Sequence, residues 1–464
     1  MTRAEGLVDH TFFQNAQSEP DLEEMNQPEV TGVAQDQQGH VGKLVVEKGL
    51  PLEQRAPRSK LHQLLRLLGP GFLSGMAGND ATAMTTYAID GAMAGYGHLW
   101  LMLLATPMYQ AVQFSCAKIG RITQKGLSDI LREQYGHWVA LLATLVLVIA
   151  NVALIAGDLA AIGSGLELIT GLSSAWFVIP VAVLLWCLTV YRSFESITKI
   201  FIILSLAFVT YLITALFADP NWGVVLLHTF VPQVSFDFSS LSAAVALLGA
   251  TISPYSMFWQ AHGEKEQPRE GSLTRQVRSA ALDVASGVIS GNLVVYFVIV
   301  TTAATLFTHH QSINTAADAA QALEPLLGPF AKYLFAIGLI GAGFIALPVL
   351  LASTSYAVAG AFGWPSGLSQ KLSQCKEFYL ILTGTLIVGL VVALLPFNPI
   401  QLIFYANVLV GVLAPMLVIY VMVVGNNRTI MQNEPLGLFT NLFLVVTVIV
   451  LVAADLLFFY GLLT

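Results

Sequence analysis

Runs of about 18–25 mostly apolar residues, the length at which a helix crosses a bilayer core, recur in this chain from residue 67 to residue 462. They constrain the fold severely, because backbone inside hydrocarbon must find its hydrogen bonds within its own segment or a closed sheet. The expected spans are 67–89, 93–116, 138–163, 174–191, 196–217, 239–261, 280–307, 329–358, 378–396, 399–424 and 437–462. Composition agrees: 56% of residues are hydrophobic and 11% charged, with a mean hydropathy of +0.71, far from a soluble globular chain. The reading is an all-α, multi-pass integral membrane protein, partnered by the lipid bilayer and not by nucleic acid.

The stretch before the first span is different. Residues 1–60 are rich in Gln, Glu, Asp and Gly and hold no apolar run long enough for a signal peptide. They are expected to be a disordered cytoplasmic tail. Many of the chain's acids lie there, so the net charge of −7 says little about partners. Cys116, Cys187 and Cys375 have no paired spacing, which argues against a disulfide or a cysteine-based metal site.

Orientation follows from the basic residues, which collect in short cytoplasmic loops. Lys43, Lys48, Arg55, Arg58, Lys60 and Arg66 precede the first span. With the N-terminus inside, each later cytoplasmic connection is basic: Lys118, Arg121, Lys125 and Arg132; Arg192 and Lys199; Lys265, Arg269, Arg275 and Arg278; Lys371 and Lys376; Arg428. The opposite loops carry Asp219, Asp237, Asp318 and Glu324, with Lys332 as the exception. Eleven spans then leave the C-terminus outside, and a plasma-membrane location is expected.

Five spans followed by five place the second set upside down relative to the first, and such inverted repeats bind substrate where matching helices are interrupted. The expected divisions are 61–220 for the first repeat, 221–425 for the second and 426–464 for an eleventh helix. Both repeats open on an interruption: Gly78-Asn79-Asp80 in span 1, and Gly249-Ala250-Thr251-Ile252-Ser253-Pro254-Tyr255 in span 6. Pro254 lacks an N–H and clashes with the preceding turn, so it breaks the helix and frees carbonyls near Ala250. A carboxylate at bilayer depth costs about 2.5–3.5 kcal/mol on insertion scales and usually faces a cavity. Asp80 is therefore the candidate anchor for a metal ion, a sodium ion or a proton.

These residues resemble the Nramp family of divalent-metal transporters. The Gly69-Pro70-Gly71-Phe72-Leu73 lead-in, the Asp80 break and the Ala250–Pro254 break carry the likeness, with Asn151 to Gly163 similar to the family's third span. The run from Ala316 to Trp364 extends it, and the whole covers about residues 60–425. The resemblance implies a LeuT-type fold of two inverted five-helix repeats, with a metal site between broken helices 1 and 6. It also brings out departures. The family's Asp-Pro-Gly-Asn reads Asp80-Ala81-Thr82-Ala83 here, and Met-Pro-His reads Ser253-Pro254-Tyr255. Asp158 matches a carboxylate linked to proton movement, whereas Asn151 and Ala161 stand where other members carry glutamates.

A thioether selects transition metals, and its absence removes that preference. The expected metal ligands are the Asp80 carboxylate, backbone oxygens at Gly78 and Ala250, and the Ser253 hydroxyl, with Asn79, Thr82, Ala83, Tyr255, Asn407 and Asp158 along the pathway or supporting it. An all-oxygen set suits Mg²⁺ or Mn²⁺, and Mg²⁺ commonly retains several waters. Nramp-related proteins lacking the methionine include magnesium transporters, the branch this chain resembles. With few titratable groups left for a relay, proton coupling is expected to be weak or absent. The membrane potential alone supplies about 4.6 kcal/mol per 100 mV for a divalent ion. No resident cofactor is expected, the ion being cargo.

Other features have plainer readings. Glu195 balances Arg192 and Lys199, Asn292 makes an interhelical hydrogen bond, and His309 with His310 form a solvated pair. The glycines at 338, 341 and 343 permit close helix packing rather than nucleotide binding. The alternatives are a proton-coupled Mn²⁺/Fe²⁺ importer, a membrane-embedded enzyme, for which no HExxH, GxSxG or paired-carboxylate motif is present, and an organic-solute symporter, whose substrate carboxylate Asp80 would repel.

Overall fold

A computed structural model describes residues 33–35, 41–43, 75, 78–191, 209–267, 269, 271–321, 328–368, 370 and 372–463. The chain divides into two units, Met1–Gln63 and Leu64–Thr464. In the first, β1 (Val33–Gln35) pairs antiparallel with β2 (Val41–Lys43), and the rest of the expected tail lies outside the described residues.

The second unit is helical. Its elements are α1 (Ala81–Ala94), α2 (Leu99–Thr123), α3 (Leu127–Tyr135), α4 (His137–Thr170), α5 (Ala175–Tyr191), α6 (Val209–Phe217), α7 (Trp222–Phe230), α8 (Phe238–Thr251), α9 (Pro254–Glu266), α10 (Leu273–Thr305), α11 (Ala316–Gln321), α12 (Ala331–Phe362), α13 (Lys376–Ala393), α14 (Pro399–Asn426) and α15 (Leu438–Leu463). Among the described residues seven segments are long and apolar enough to cross a bilayer: α4, α8 with α9, α10, α12, α13, α14 and α15.

The other four expected spans fall short for separate reasons. Before Gly78, span 1 is described only at Gly75, and span 5 only from residue 209. Helix α5 is a residue short at 17. Helix α2 has the length but dilutes its apolar run with Gln110, Gln113, Ser115 and Lys118. The sequence also placed some ends wrongly. Helix α2 runs to Thr123 rather than 116, α4 to Thr170 rather than 163, and α10 starts at Leu273 rather than 280. In each case a polar turn or more continues the helix past its apolar run. The short helices α3, α7 and α11 had no apolar run of span length to announce them.

Burial separates centre from rim. Every residue of α1 from Ala81 to Ala92 is buried, whereas α15 leaves Leu438, Leu442, Ile449 and Leu456 exposed. Trp138 and Trp176, at the starts of α4 and α5, are 82% and 75% exposed, as expected of aromatic residues at a membrane–water boundary.

Glycines allow close helix approaches around the second break. A Cβ on Gly249 would lie 2.2 Å from the Asn407 carbonyl oxygen, so α8 and α14 meet backbone to backbone. A Cβ on Gly120 would lie 2.1 Å from the Ala261 oxygen, which fixes α2 against α9 in the same way. Gly343 likewise packs α12 onto Ile162 of α4, the close-packing role read from the sequence. Asn292 donates to the Thr106 hydroxyl of α2 at 2.9 Å, the interhelical bond expected of it. His309 and His310 are exposed beside the 3₁₀ turn Phe307–His309. Glu195, Arg192 and Lys199 lie outside the described residues.

Candidate functional site

The two interruptions face one another. Asp80 is the N-cap of α1: its Oδ1 accepts from the Ala83 N–H at 2.6 Å and from the Thr82 hydroxyl at 2.5 Å. Its Oδ2 accepts from the Tyr255 hydroxyl at 3.2 Å. The cap explains why a helix starts here, since a carboxylate at this position satisfies an otherwise unpaired N–H. The Tyr255 bond spans the space between the first break and the second. Asp80 is 1% exposed and Tyr255 fully buried.

Across the gap, α8 ends at Thr251 and Pro254 opens α9 at its first position, where a missing N–H does no harm. Ser253 caps α9 without a side-chain cap bond; its hydroxyl turns back to donate to the Gly249 and Ala250 carbonyls at 3.1 and 3.0 Å. The Thr82 hydroxyl donates to Asp80, the Tyr255 hydroxyl donates to Asp80, and the Thr251 hydroxyl donates to the Leu247 carbonyl at 2.8 Å. Each of these hydroxyls thus directs its hydrogen at the protein and keeps oxygen lone pairs in reserve. That arrangement suits a hard cation and gives an anion nothing.

Asp158 is fully buried on α4. Its Oδ1 accepts from the Thr82 backbone N–H at 3.0 Å, so Thr82 bridges the two carboxylates. Its Oδ2 is buried with no hydrogen-bond partner among the described residues, and so is Asn407 Oδ1 on α14. Asn407 reaches α1 by donating to the Thr86 hydroxyl at 2.9 Å. Orphaned buried oxygens of this kind call for a water or a cation.

Not every expected site residue sits as the sequence suggested. Asn79 donates its amide to the Gly291 carbonyl of α10 at 3.2 Å, which ties the break to the scaffold. Ala83 touches the site through its backbone N–H, which donates to Asp80. The Ala250 carbonyl is already an acceptor for Ser253. Gly78 is buried in the turn leading to Asp80. Sequence reading missed Tyr87, whose hydroxyl shares a 3.1 Å bond with Thr251 and joins α1 to α8. The signal was there: Tyr87 stands seven residues after Asp80, two turns along the same helix face. Ser256, linked by a 2.5 Å bond to Gln113 of α2, had no such pointer. On the seam between α4 and α12, Asn151 donates to the Ser353 and Thr354 hydroxyls at 3.0 and 2.8 Å.

A family model described as natural resistance-associated macrophage protein-like (Nramp) matches residues 71–461. The chain belongs to the Nramp family. A divalent metal cation transporter MntH from Deinococcus radiodurans is 28% identical over 352 residues, covering 72% of this chain and 79% of that protein. Among solved structures, a manganese transporter from Eremococcus coleocola superposes with a TM-score of 0.70 at 16% identity, covering 88% of each chain. MhsT, solved with L-phenylalanine, superposes with a TM-score of 0.56 at 14% identity over 84% of this chain and 98% of its own. The fold is accordingly the LeuT-type arrangement expected from the sequence: inverted five-helix repeats, an eleventh helix, and broken helices 1 and 6.

Proposed function

We propose that this Nramp-family chain moves Mg²⁺ or Mn²⁺ across the membrane by alternating access, with weak or no proton coupling. The observation that carries the reading is the Tyr255–Asp80 bond across the two breaks, beside hydroxyls whose hydrogens are given to protein acceptors. Asp80 supplies the anionic anchor. Ser253, Thr82 and the Gly78 and Ala250 carbonyls supply neutral oxygens, and Asn407 Oδ1 and Asp158 Oδ2 are available to retained waters. Without a thioether nothing in this donor set penalises a hard ion. The named relatives, a divalent metal cation transporter and a manganese transporter, support the cargo class.

Weak coupling rests on the α4–α12 seam, where a proton relay would need titratable groups and Asn151 offers an amide held by two hydroxyls. The competing reading, a proton-coupled Mn²⁺/Fe²⁺ importer, draws on Asp158. The orientation follows the basic loops: N-terminus in the cytoplasm, C-terminus outside, in the plasma membrane. The tail at 1–60, the repeats at 61–220 and 221–425 and the final helix at 426–464 complete the proposed organisation. The ion is cargo and no chemistry is performed on it.

Uptake into proteoliposomes, with Mg²⁺ or Mn²⁺ outside and a pH dye inside, tests this. Entry of either ion with a steady internal pH is the expected result. Mn²⁺ entry with acidification and no Mg²⁺ entry or competition would select the coupled reading. Asp80→Ala should abolish uptake while the protein still purifies as a single folded species, and unimpaired uptake would move the site elsewhere.

A further inference from the structure

Beyond the break, α9 presents two faces of different chemistry. One carries Ser256, Gln260 and Glu264 toward α2. Glu264 is fully buried and accepts from Arg121 of α2 at 2.8 Å and from the Arg269 Nε at 2.9 Å, and Arg269 also reaches Asp283 of α10 at 3.1 Å. The other face aligns Tyr255, Trp259, His262 and Glu266, spaced at four, three and four residues, within a narrow arc of the helix. This stripe starts at the Asp80 contact and ends about 16 Å further along the axis.

At its far end the stripe meets Tyr356 of α12. The His262 ring stacks on the Tyr356 ring with centroids 3.8 Å apart. The Tyr356 hydroxyl donates to Glu266 Oε1 at 2.9 Å and accepts from the Leu368 N–H. His262 is 3% exposed, and its Nε2 is buried with no hydrogen-bond partner among the described residues. Glu266, one turn on, is solvent-exposed. An imidazole and a carboxylate at i and i+4 occupy one helix face, the spacing at which side chains converge on a single ion. The two residues also share Tyr356, whose ring stacks on one and whose hydroxyl donates to the other.

We propose that His262 and Glu266 form a second divalent-cation station, at the cytoplasmic end of the path, with Tyr356 as its cover. The inference rests on the transport reading and orientation above. An ion leaving Asp80 follows the α9 stripe and is next met by Glu266 and His262. Fixed charges join α9 to α2 and α10, whereas its side-chain contacts with α12 include a ring stack and the Tyr356–Glu266 hydrogen bond. The α12 contact is therefore the one that parts, and its parting uncovers the pair. Nitrogen in the donor set makes this station hold Mn²⁺ longer than Mg²⁺, so it discriminates at exit where the Asp80 site does not.

Mn²⁺ titrations of the purified full chain in nanodiscs, followed by electron paramagnetic resonance, test the proposal. The wild type should bind Mn²⁺ at two sites. Asp80→Ala should lose one and retain the other. Glu266→Gln should keep the Asp80 site and weaken the second by about tenfold or more, the scale of losing a charge-assisted contact. His262→Gln should weaken the second site for Mn²⁺ but leave Mg²⁺ competition there unchanged. Tyr356→Phe, which removes the hydroxyl from Glu266, should tighten the second site. One Mn²⁺ site in the wild type, or two sites indifferent to Glu266→Gln and Tyr356→Phe, would overturn the station. Intact binding and uptake in Asp80→Ala would instead overturn the transport reading beneath it.

Discussion

Where α2 and α10 meet α9, the charged side chains of Arg121, Glu264, Arg269 and Asp283 are sealed together at 7% side-chain exposure or less. Where Thr144 to Asn151 of α4 meet Leu350 to Ala357 of α12, burial is as complete, but the side-chain hydrogen bonds are neutral: Asn151 with the Ser353 and Thr354 hydroxyls, and the Thr144 hydroxyl with the Ala357 carbonyl at 3.3 Å. Buried ions are intolerant of partial loss, because a charge left without its partner in a low-dielectric setting is costly. Neutral hydrogen bonds can break and reform for about 1 kcal/mol each. The first region is suited to holding three helices as one body. The second is suited to contact that changes, and it offers a proton few places to rest.

The sharpest way to break this comparison is Glu264→Ala. It leaves Arg121 and Arg269 buried without their shared carboxylate and is expected to destabilise the protein by about 3–5 kcal/mol. Thermal unfolding of the detergent-purified protein measures it, and a melting temperature equal to wild type would mean that the four charges do not act as a unit. Asn151→Asp attacks the other region by placing an acid in the neutral seam. A cost of about 1–3 kcal/mol is expected for a buried group with mismatched partners, together with internal acidification during Mn²⁺ uptake. A silent pH dye would show that the seam's neutrality is not what uncouples the proton. Asn292→Ala calibrates both, since it removes one isolated interhelical bond worth about 0.6 kcal/mol; a larger drop in melting temperature than for Asn151→Asp would undo the ranking.

Much of this molecule could be read from its residues, and the reasons are local ones. A span announces itself by apolar length, and Pro254 announces a break because one ring forbids one hydrogen bond. Asp80 stands out because a carboxylate within an apolar span needs a reason. What depended on three dimensions stayed hidden. Arg121 and Arg269 were counted among the loop charges that orient the chain, yet Arg121 lies in the last turn of α2 and both are buried on Glu264. No pattern within α1 says that Thr82 gives its hydroxyl to one carboxylate and its amide to another. Asn79 and Asn407 were both placed along the pathway or in support of it, and only the packing reveals that Asn79 bonds α10 while Asn407 keeps an oxygen unclaimed among the described residues.

The contact of Gly249 with the backbone of α14 has a mechanical corollary. Because no side chain stands between α8 and Asn407, no rotamer flip can unlatch that side, and it opens only if whole helices roll apart like a hinged door on a flush frame. A single methyl in the jamb would act as a wedge. Gly249→Ala should hold the door ajar, and a thiol reagent should then reach Thr86→Cys, behind it, faster than in the unwedged protein; equal labelling rates would mean the frame had already yielded.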